Sequence, residues 1–152
     1  MADIVSEKKR SEMMSGIRGK DTKPELIIRK GLHRSGYRFK LHDSQLPGKP
    51  DLVFPKYNAI IFIHGCFWHK HDCHLFKWPS SRDQFWKDKL LGNEEKDKEN
   101  NQELLALGWR ILIIWECALK GKTCLYTNTV LESAAEFLES DDEFLEIRGA
   151  EE

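Results

Sequence analysis

The sequence predicts an α/β fold in which one mixed β-sheet is flanked by helices. Two short apolar segments, DLVF (51–54) and AIIFI (59–63), are joined by the four-residue turn PKYN, which favours an antiparallel hairpin. A long helical segment then leads to the strand-like run WRILIIW (109–115). A strand, a helix and a strand in this order imply parallel pairing through a crossover connection. The predicted order of elements is α-β-β-β-α-β-α.

The first helix is predicted to begin after Thr22. Thr22 and Glu25 have the spacing of a capping box, and Pro24 lies in the first turn. We expect this helix to end at Gly36, where a glycine follows the last apolar residues. The alternating segment YRFKL (37–41) then predicts a half-buried strand ahead of the hairpin.

Two more helices follow the hairpin. The crossover helix is predicted to begin at a second capping signature, Ser81 with Gln84, and to be interrupted at residues 92–93 (Gly-Asn). The final amphipathic helix is predicted from Thr129, with Glu132 as its capping partner. Its expected apolar side consists of Val130, Ala134, Phe137 and Leu138.

Charge divides the chain into unlike halves. Residues 1–50 carry twelve lysines and arginines against six acidic residues, and residues 51–152 carry twelve against nineteen. A basic half suits a phosphate-rich partner such as DNA, although a solvated surface explains the same charge. We therefore divide the chain into a basic arm (1–20), a central domain (21–140) and an acidic tail (141–152) expected to be solvated and frayed. The candidate contacts to a nucleic-acid backbone are Arg18, Lys20 and Lys23.

Several classes of protein are disfavoured by composition. No apolar run approaches the ~20 residues that span a membrane, and the N-terminal segment lacks the apolar core of a signal peptide. We therefore expect no membrane partner and a cytoplasmic location. Because cysteines interleave with histidines, a disulfide framework is not expected.

A cluster of metal-binding residue types follows AIIFI. Residues 64–74 hold four of the six histidines and two of the four cysteines. Cys66, His71 and Cys73 supply three ligands in one loop, and structural zinc takes four in a tetrahedron. Cys117 follows the last predicted strand, and parallel pairing would bring it to the loop. We predict that these four residues bind zinc; the alternative is buried thiols with surface histidines. The rival ligands are His69, His74 and Cys124.

A second site is predicted at one end of the hairpin. Asp51 opens its first strand and His64 follows its second, so both lie at the same end. Asp51 can bind Mg²⁺, which takes oxygen ligands and is often completed by substrate phosphates. Two other acidic residues have simpler explanations when taken alone. Glu25 is the capping acid of the first helix, and Asp97 belongs to a solvated helical face.

The aromatic residues near the cluster allow two interpretations. Phe67 and Trp68 lie in the polar loop between the metal-ligand candidates, and Trp86 lies on the crossover helix. Bulky apolar side chains beside a basic surface can wedge into a base stack and kink the duplex. The alternative is a small core that covers the zinc loop. Trp109 and Trp115, on the last strand, are expected to be core residues.

The chain closely resembles the very-short-patch repair endonucleases, bacterial enzymes that nick DNA at T:G mismatches left by deamination of 5-methylcytosine. The combination of HGCFWHKHDC (64–73) with WEC (115–117) makes the resemblance specific. It covers nearly everything from Arg10 to about Lys122 and leaves out the acidic tail. It implies a restriction-endonuclease-like fold with an α-β-β-β-α-β core, in which residues 21–140 form the endonuclease domain.

The resemblance also implies a Mg²⁺ site. Asp51 matches the central metal-binding aspartate, and position 63 matches one whose main-chain carbonyl binds the metal. His64 and Glu25 match residues that hold metal-bound waters. Position 63 is Ile63 here, where the best-known members have threonine. A main-chain carbonyl does not depend on the side chain, so we expect activity to survive.

Further roles follow from the same resemblance. His69 matches the catalytic histidine, and Asp97 matches its carboxylate partner. The matching zinc ligands are Cys66, His71, Cys73 and Cys117. The matching aromatics, which the family inserts beside the mismatch, are Phe67, Trp68 and Trp86.

The predicted function is a Mg²⁺-dependent endonuclease that acts on double-stranded DNA containing a T:G mismatch, with a structural zinc ion. We expect a monomer in the bacterial nucleoid, with mismatch-repair proteins as candidate partners. One alternative is a restriction-type nuclease with no mismatch requirement. Another is a zinc-stabilised DNA-binding module without activity. No role is assigned to His74, Cys124 or the acidic tail.

Overall fold

The computed structural model, which describes residues 21–150, contains one mixed sheet with helices on both faces. The strands of the described part are β1 (Lys40–Leu41), β2 (Leu52–Phe54), β3 (Ala59–His64), β4 (Arg110–Trp115) and β5 (Phe144–Ile147). The α-helices are α1 (Lys23–Arg34), α2 (Asp83–Ala106) and α3 (Thr127–Glu139). Strands that follow one another in sequence are neighbours in the sheet. The predicted α/β class is confirmed.

The pairing of the central strands is as predicted. β2 and β3 are antiparallel and are joined by a single 3₁₀ turn, Pro55–Tyr57. β3 and β4 are parallel, with His64 opposite Trp115. Both strands therefore end at the same edge of the sheet, and Cys66 and Cys117 follow directly beyond it. This register brings the loop after β3 next to the end of β4.

The first strand is shorter than predicted. Only Lys40 and Leu41 pair with β2, and both are exposed. Tyr37 and Phe39 make no strand pairs but pack as partly buried rings, and Phe39 lies 5.3 Å from Phe54 between ring centroids. The alternation of YRFKL therefore reflects packing against the core, without the ladder of a full strand.

Helix α2 runs without a break, so the interruption predicted at residues 92–93 is wrong. A β-carbon added at Gly92 would meet no atom within 4 Å, so this glycine faces open space. Glycine in an exposed helical position costs only about 1 kcal/mol relative to alanine. The next residue, Asn93, donates to the Trp68 carbonyl at 3.0 Å. The cap predicted at Ser81 is also wrong, because the N-cap is Arg82 and its side chain makes no capping bond.

The other helix starts are partly as predicted. Thr22 caps α1, and its hydroxyl accepts a hydrogen bond from the Glu25 amide at 3.4 Å. Helix α3 begins at Thr127, two residues before the predicted Thr129, and has no side-chain cap. The residues predicted for its apolar side are all buried: Val130, Ala134, Phe137 and Leu138.

The acidic tail contributes the fifth strand. Phe144–Ile147 pairs in parallel with β4, so the sheet continues past residue 140. The expectation of a frayed tail is therefore wrong for this segment. Ile147 is buried, and Leu145 packs partly buried against the core. These apolar side chains hold the strand on the sheet although acidic residues surround them in the sequence.

Two apolar cores lie on the two faces of the sheet. Ile61 and Leu112 belong to the core that α1 and α3 cover. Ile60 and Ile113, which alternate with them along the strands, belong to the core that contains Cys66 and part of α2. None of the helices between residues 21 and 150 is long and apolar enough to cross a membrane.

Candidate nuclease site and zinc centre

An open cleft of about 770 Å³ lies where β2 begins and β3 ends. Helix α2 forms its opposite wall and the N-terminal end of α1 its rim. Predicted site residues that line the cleft are Asp51, Ile63, His64, Trp68, His69 and Asp97. Asp51 and His64, which the hairpin placed together, therefore lie in the same cleft as Asp97, whose role was implied only by the family resemblance.

Asp51 lies against the end of β3. Its Oδ2 accepts a hydrogen bond from the main-chain amide of Ile63 at 2.7 Å. Burial is the main reason that the pKa of Asp51 is raised to about 7; the Ile63 amide opposes the shift and the nearby Glu25 carboxylate adds to it. A divalent cation would offset both the repulsion between two neighbouring carboxylates and the cost of burying their charge. The donor set therefore fits Mg²⁺.

Glu25 caps helix α1 and also contacts His42, which lines the cleft. Its Oε1 accepts the Asp21 amide at 3.1 Å, which caps the start of the helix. Its Oε2 accepts from Arg29 at 3.1 Å and lies 2.7 Å from Nε2 of His42. One oxygen of Glu25 therefore serves the helix cap, and the other faces Arg29 and His42. His42 was missed in the sequence because no local pattern links it to Glu25, seventeen residues earlier.

Two stacked histidines occupy the middle of the cleft. The rings of His64 and His69 lie 3.7 Å apart with an interplanar angle of 4°. His69 Nδ1 is 2.6 Å from Oδ2 of Asp97, so Asp97 is not simply part of a solvated helical face. Burial lowers the pKa of His64 well below its usual value, which keeps that ring neutral. Its Nδ1 is buried and has no hydrogen-bond partner within residues 21–150.

The four predicted zinc ligands converge. The ligand atoms of Cys66, His71, Cys73 and Cys117 all lie within 4.8 Å of one another. His71 Nδ1 is 3.5 Å from the Cys66 sulfur and 3.6 Å from the Cys117 sulfur. Three thiols with one imidazole are a recognised set for structural zinc. Burial raises the pKa of the Cys66 and Cys117 thiols, and a bound cation would offset that cost by favouring the thiolates. These residues fit zinc.

The rival ligands lie outside this group. His69 is paired with Asp97, and His74 lies 3.4 Å from the Thr123 hydroxyl. Cys124 is an exposed thiol. The geometry therefore selects one ligand set from the alternatives that the sequence left open.

The C-terminal segment contacts the metal-ligand cluster and its neighbours. The Trp115 ring stacks on His71 at 3.9 Å, and its indole N–H donates to Glu146 of β5 at 2.9 Å. The Gly149 amide donates to the Cys117 sulfur at 3.3 Å. Trp115 is buried, as predicted for a core residue. The contribution of β5 and Gly149 could not be foreseen, because the tail was expected to be frayed.

The three predicted DNA-contacting aromatics form one cluster beside the cleft. The Phe67 ring centroid lies 5.1 Å from that of Trp68 and 5.4 Å from that of Trp86. Trp68 is buried, whereas Phe67 and Trp86 are partly exposed. The cluster therefore covers the loop as a small core and also presents two rings at the surface. Of the predicted phosphate contacts, Lys23 is exposed at the start of α1. Arg18, Lys20 and the rest of the basic arm lie outside the described residues.

Comparisons with known proteins are consistent with this geometry. A family model described as DNA mismatch endonuclease Vsr matches residues 2–75. Over 138 residues the chain is 42% identical to the DNA mismatch endonuclease Vsr of Escherichia coli (strain K12), covering 91% of this chain and 88% of that protein. It is 43% identical over 119 residues to the type II nicking enzyme V.XorIIP of Xanthomonas oryzae pv. oryzae (78% and 88% covered). It is also 43% identical over 122 residues to the type II nicking enzyme V.NmeAIP of Neisseria meningitidis serogroup A (80% and 87% covered). The chain therefore belongs to the DNA mismatch endonuclease Vsr family and is a DNA endonuclease.

Proposed function

We propose that this endonuclease requires Mg²⁺ and nicks one strand of double-stranded DNA beside a T:G mismatch, in very-short-patch repair of deaminated 5-methylcytosine. The observation that carries the proposal is the arrangement in the cleft. His69 is paired with Asp97 at 2.6 Å and stacks on His64, in the same cleft as the Asp51 carboxylate. The name of the Escherichia coli relative, a mismatch endonuclease, supports the substrate.

Asp51 and the main-chain carbonyl of Ile63 would hold the Mg²⁺ ion. The amide and carbonyl of a strand residue point to the same side, and the Ile63 amide points to Asp51. Glu25 and His64 would hold the metal-bound waters, consistent with the buried, unpartnered Nδ1 of His64 within the described chain. When bound, Mg²⁺ would polarise the scissile phosphate and stabilise charge on the leaving oxygen.

His69 acts as the general base in this proposal. Because Nδ1 faces Asp97, the opposite nitrogen, Nε2, is left to accept a proton from the attacking water. The Asp97 carboxylate then stabilises the resulting imidazolium. A neutral His64 matters here, because a cationic ring at 3.7 Å would oppose protonation of His69. The products are a 5′-phosphate and a 3′-hydroxyl.

Zinc has a structural role in this proposal. Phe67 and Trp68 lie between the ligands Cys66 and His71, so a metal ion that fixes both ligands also fixes the two rings. Together with Trp86 they would open the base stack at the mismatch. Their clustered arrangement beside the cleft supports this role.

Basic residues near the start of α1 are the proposed contacts to the DNA backbone. Lys23, together with Arg18 and Lys20 of the arm, would contact backbone phosphates. Nicking of one strand requires one active site, so a monomer suffices. Mismatch-repair proteins are the proposed partners.

The proposal is tested by nicking of end-labelled duplexes that differ only in one T:G pair, with Mg²⁺ or with EDTA. We expect a single nick beside the mismatch, only with Mg²⁺, and none in the matched duplex. Asp51→Ala should abolish nicking and retain DNA binding; persistent nicking would contradict the assigned metal site. Absence of cutting by the wild type, with binding retained, would instead indicate a binding module.

A second candidate function is sequence-specific nicking without a mismatch. It is favoured by one finding, that several relatives are named type II nicking enzymes. Equal cutting of the matched and mismatched duplexes in the same assay would establish this alternative and exclude the mismatch requirement.

A further inference from the structure

We propose that His42 is a positioning residue, which holds the Glu25 carboxylate in its working orientation beside Asp51. The inference rests on the proposed function, in which Glu25 holds water on the metal ion. His42 lines the same cleft as Asp51, although neither its sequence context nor the family resemblance assigned it a role.

His42 contacts both acidic residues of the site. Its Nε2 lies 2.7 Å from Oε2 of Glu25, closer than the Asp21 amide and the Arg29 guanidinium, which are both 3.1 Å from the carboxylate. Its main-chain amide donates to the carbonyl of Asp51 at 3.0 Å. One residue therefore ties the end of β1 to the start of β2 through its backbone and to α1 through its side chain.

The backbone of His42 is in an unfavourable conformation. Its φ angle is +48°, in the left-handed region that residues with a β-carbon rarely adopt. Strained backbone of this kind persists where surrounding contacts over-determine it, and such positions cluster at functional sites. Here the conformation allows the amide to reach Asp51 while the ring reaches Glu25.

Arg29 cannot replace this contact. Its guanidinium contacts both Glu25 and the exposed Asp21, so its position depends on two carboxylates. The Nε2 of His42 has Glu25 as its one carboxylate partner in the described chain. Removal of the imidazole would leave the buried Glu25 with the shared Arg29 contact, the Asp21 amide and the like-charged neighbour Asp51. The carboxylate would then be free to turn away from Asp51.

The inference is tested with His42→Ala and His42→Gln, with His33→Ala as the matched control. His33 is a histidine on the exposed side of α1, away from the cleft. We expect kcat of His42→Ala on the T:G duplex to fall by about tenfold or more, because small displacements of reacting groups have effects of that size. KM for DNA should not change. His42→Gln, which keeps an N–H donor, should recover most of kcat, and His33→Ala should match the wild type.

A second measurement does not depend on activity. Calorimetric titration of the DNA-free protein with Mn²⁺ or Mg²⁺ should show weaker ion binding in His42→Ala and recovery in His42→Gln. Thermal unfolding identifies any loss of fold. An unchanged kcat and ion affinity in folded His42→Ala would overturn the inference, as would a folded His42→Gln variant as impaired as His42→Ala.

The double variant with Glu25→Gln separates the inference from the proposed function. If His42 acts through Glu25, adding His42→Ala to Glu25→Gln should cause little further loss, whereas multiplied losses would overturn the inference. If Glu25→Gln alone changes neither nicking nor ion binding, the role proposed for Glu25 fails, and the inference fails with it. If Glu25→Gln is impaired and His42→Ala is not, only the inference about His42 fails.

Discussion

The side chains of the cleft are held by partners that come from distant parts of the chain. Asp51 receives its hydrogen bond from Ile63 on the neighbouring strand, and His69 is fixed by Asp97 on helix α2. Each group is thus oriented by a contact that forms only when the sheet and helices have assembled. At the scale of single residues, the proposed chemistry would depend on these pairings as much as on the reacting groups themselves.

The pairing of His69 with Asp97 makes a prediction about tautomers. In Asp97→Asn the amide nitrogen can turn toward Nδ1 and favour the tautomer whose Nε2 carries the proton. The base would then be blocked, and kcat for nicking should fall by about a hundredfold or more, while DNA affinity is retained. Asp88→Asn, an exposed aspartate on the same helix, is the control. A variant of Asp97 with wild-type kcat would show that Asp97 does not set the tautomer of His69 during the reaction.

The raised pKa of Asp51 predicts a pH effect on stability without added Mg²⁺. The pKa is about 7 in the fold, above the ordinary value of about 3.9, so the folded state binds more protons between these values. Stability therefore falls as pH rises from about 4 to about 7. Asp51→Asn should lack this pH-dependent loss of stability. Its melting temperature relative to that of the wild type should therefore rise as pH increases across this range.

Other groups titrate in both proteins, and comparison of the two melting curves cancels them. Added Mg²⁺ should restore stability at pH 7 in the wild type and leave Asp51→Asn unchanged. If the melting temperatures of the two proteins change in parallel with pH, the raised pKa of Asp51 does not contribute to the pH dependence of stability.

At the scale of elements, the last strand and the residues after it act as a strap over the metal-ligand cluster. Arg148 bonds the Asp72 side chain at 2.8 Å, and the Gly149 amide reaches the Cys117 sulfur at 3.3 Å. The strap thus joins the loop after β3 to the end of β4. Such outer contacts to metal ligands commonly affect metal retention.

Gly149→Ala should loosen this strap. A β-carbon at position 149 would lie 2.6 Å from the Cys117 carbonyl oxygen and 2.8 Å from that of Thr123, closer than backbone atoms allow. Zinc release to a chromogenic chelator should be several-fold faster than in the wild type. Gly92→Ala is the control, because its β-carbon would meet nothing within 4 Å. Equal release rates for the two variants would show that the strap does not retain the metal.

Local pattern alone predicted some elements and missed others. The convergence of the four candidate metal ligands was predictable, because strand, helix and strand in sequence imply parallel pairing, which places Cys117 beside Cys66. β5 was missed because its acidic neighbours hide a short apolar strand. The role of Gly149 beside Cys117 was missed because the two lie thirty-two residues apart and share no periodic pattern. Position 92 misled for the opposite reason: one exposed glycine costs only about 1 kcal/mol relative to alanine, and the 24-residue helix runs through it.

At the scale of the whole molecule, the metal-ligand cluster joins segments that are far apart in sequence. Three candidate ligands come from the loop after β3 and the fourth follows β4, and the Gly149 amide beyond β5 donates to the Cys117 sulfur. The cluster lies against one of the two cores of the sheet, since Cys66 and Cys117 belong to it. Loss of a bound ion would therefore affect the whole fold as well as the loop.

Zinc removal tests this view. We expect about one zinc per chain after exhaustive dialysis, and cooperative unfolding at a lower temperature after chelation, because binding energy for structural zinc is also folding energy. Discrimination of the mismatched duplex should be lost with the metal, because Phe67 and Trp68 lie between its ligands. A metal-free protein with an unchanged melting temperature would exclude a structural zinc site.

Strand β3 has a consequence for how this enzyme can vary. His64 ends the strand, and Cys66 follows two residues later. The pairing of β3 with β4 therefore sets the position of both the nuclease cleft and the metal-ligand cluster. Insertion of one residue within β3 would turn His64 to the opposite face and shift Cys66 away from Cys117. Changes of length here would damage both sites together. The geometries of the two sites are therefore coupled through the length of β3. The opposite end of the same pair of strands is fixed separately, because the Arg110 guanidinium at the start of β4 donates to the Tyr57 carbonyl in the turn before β3.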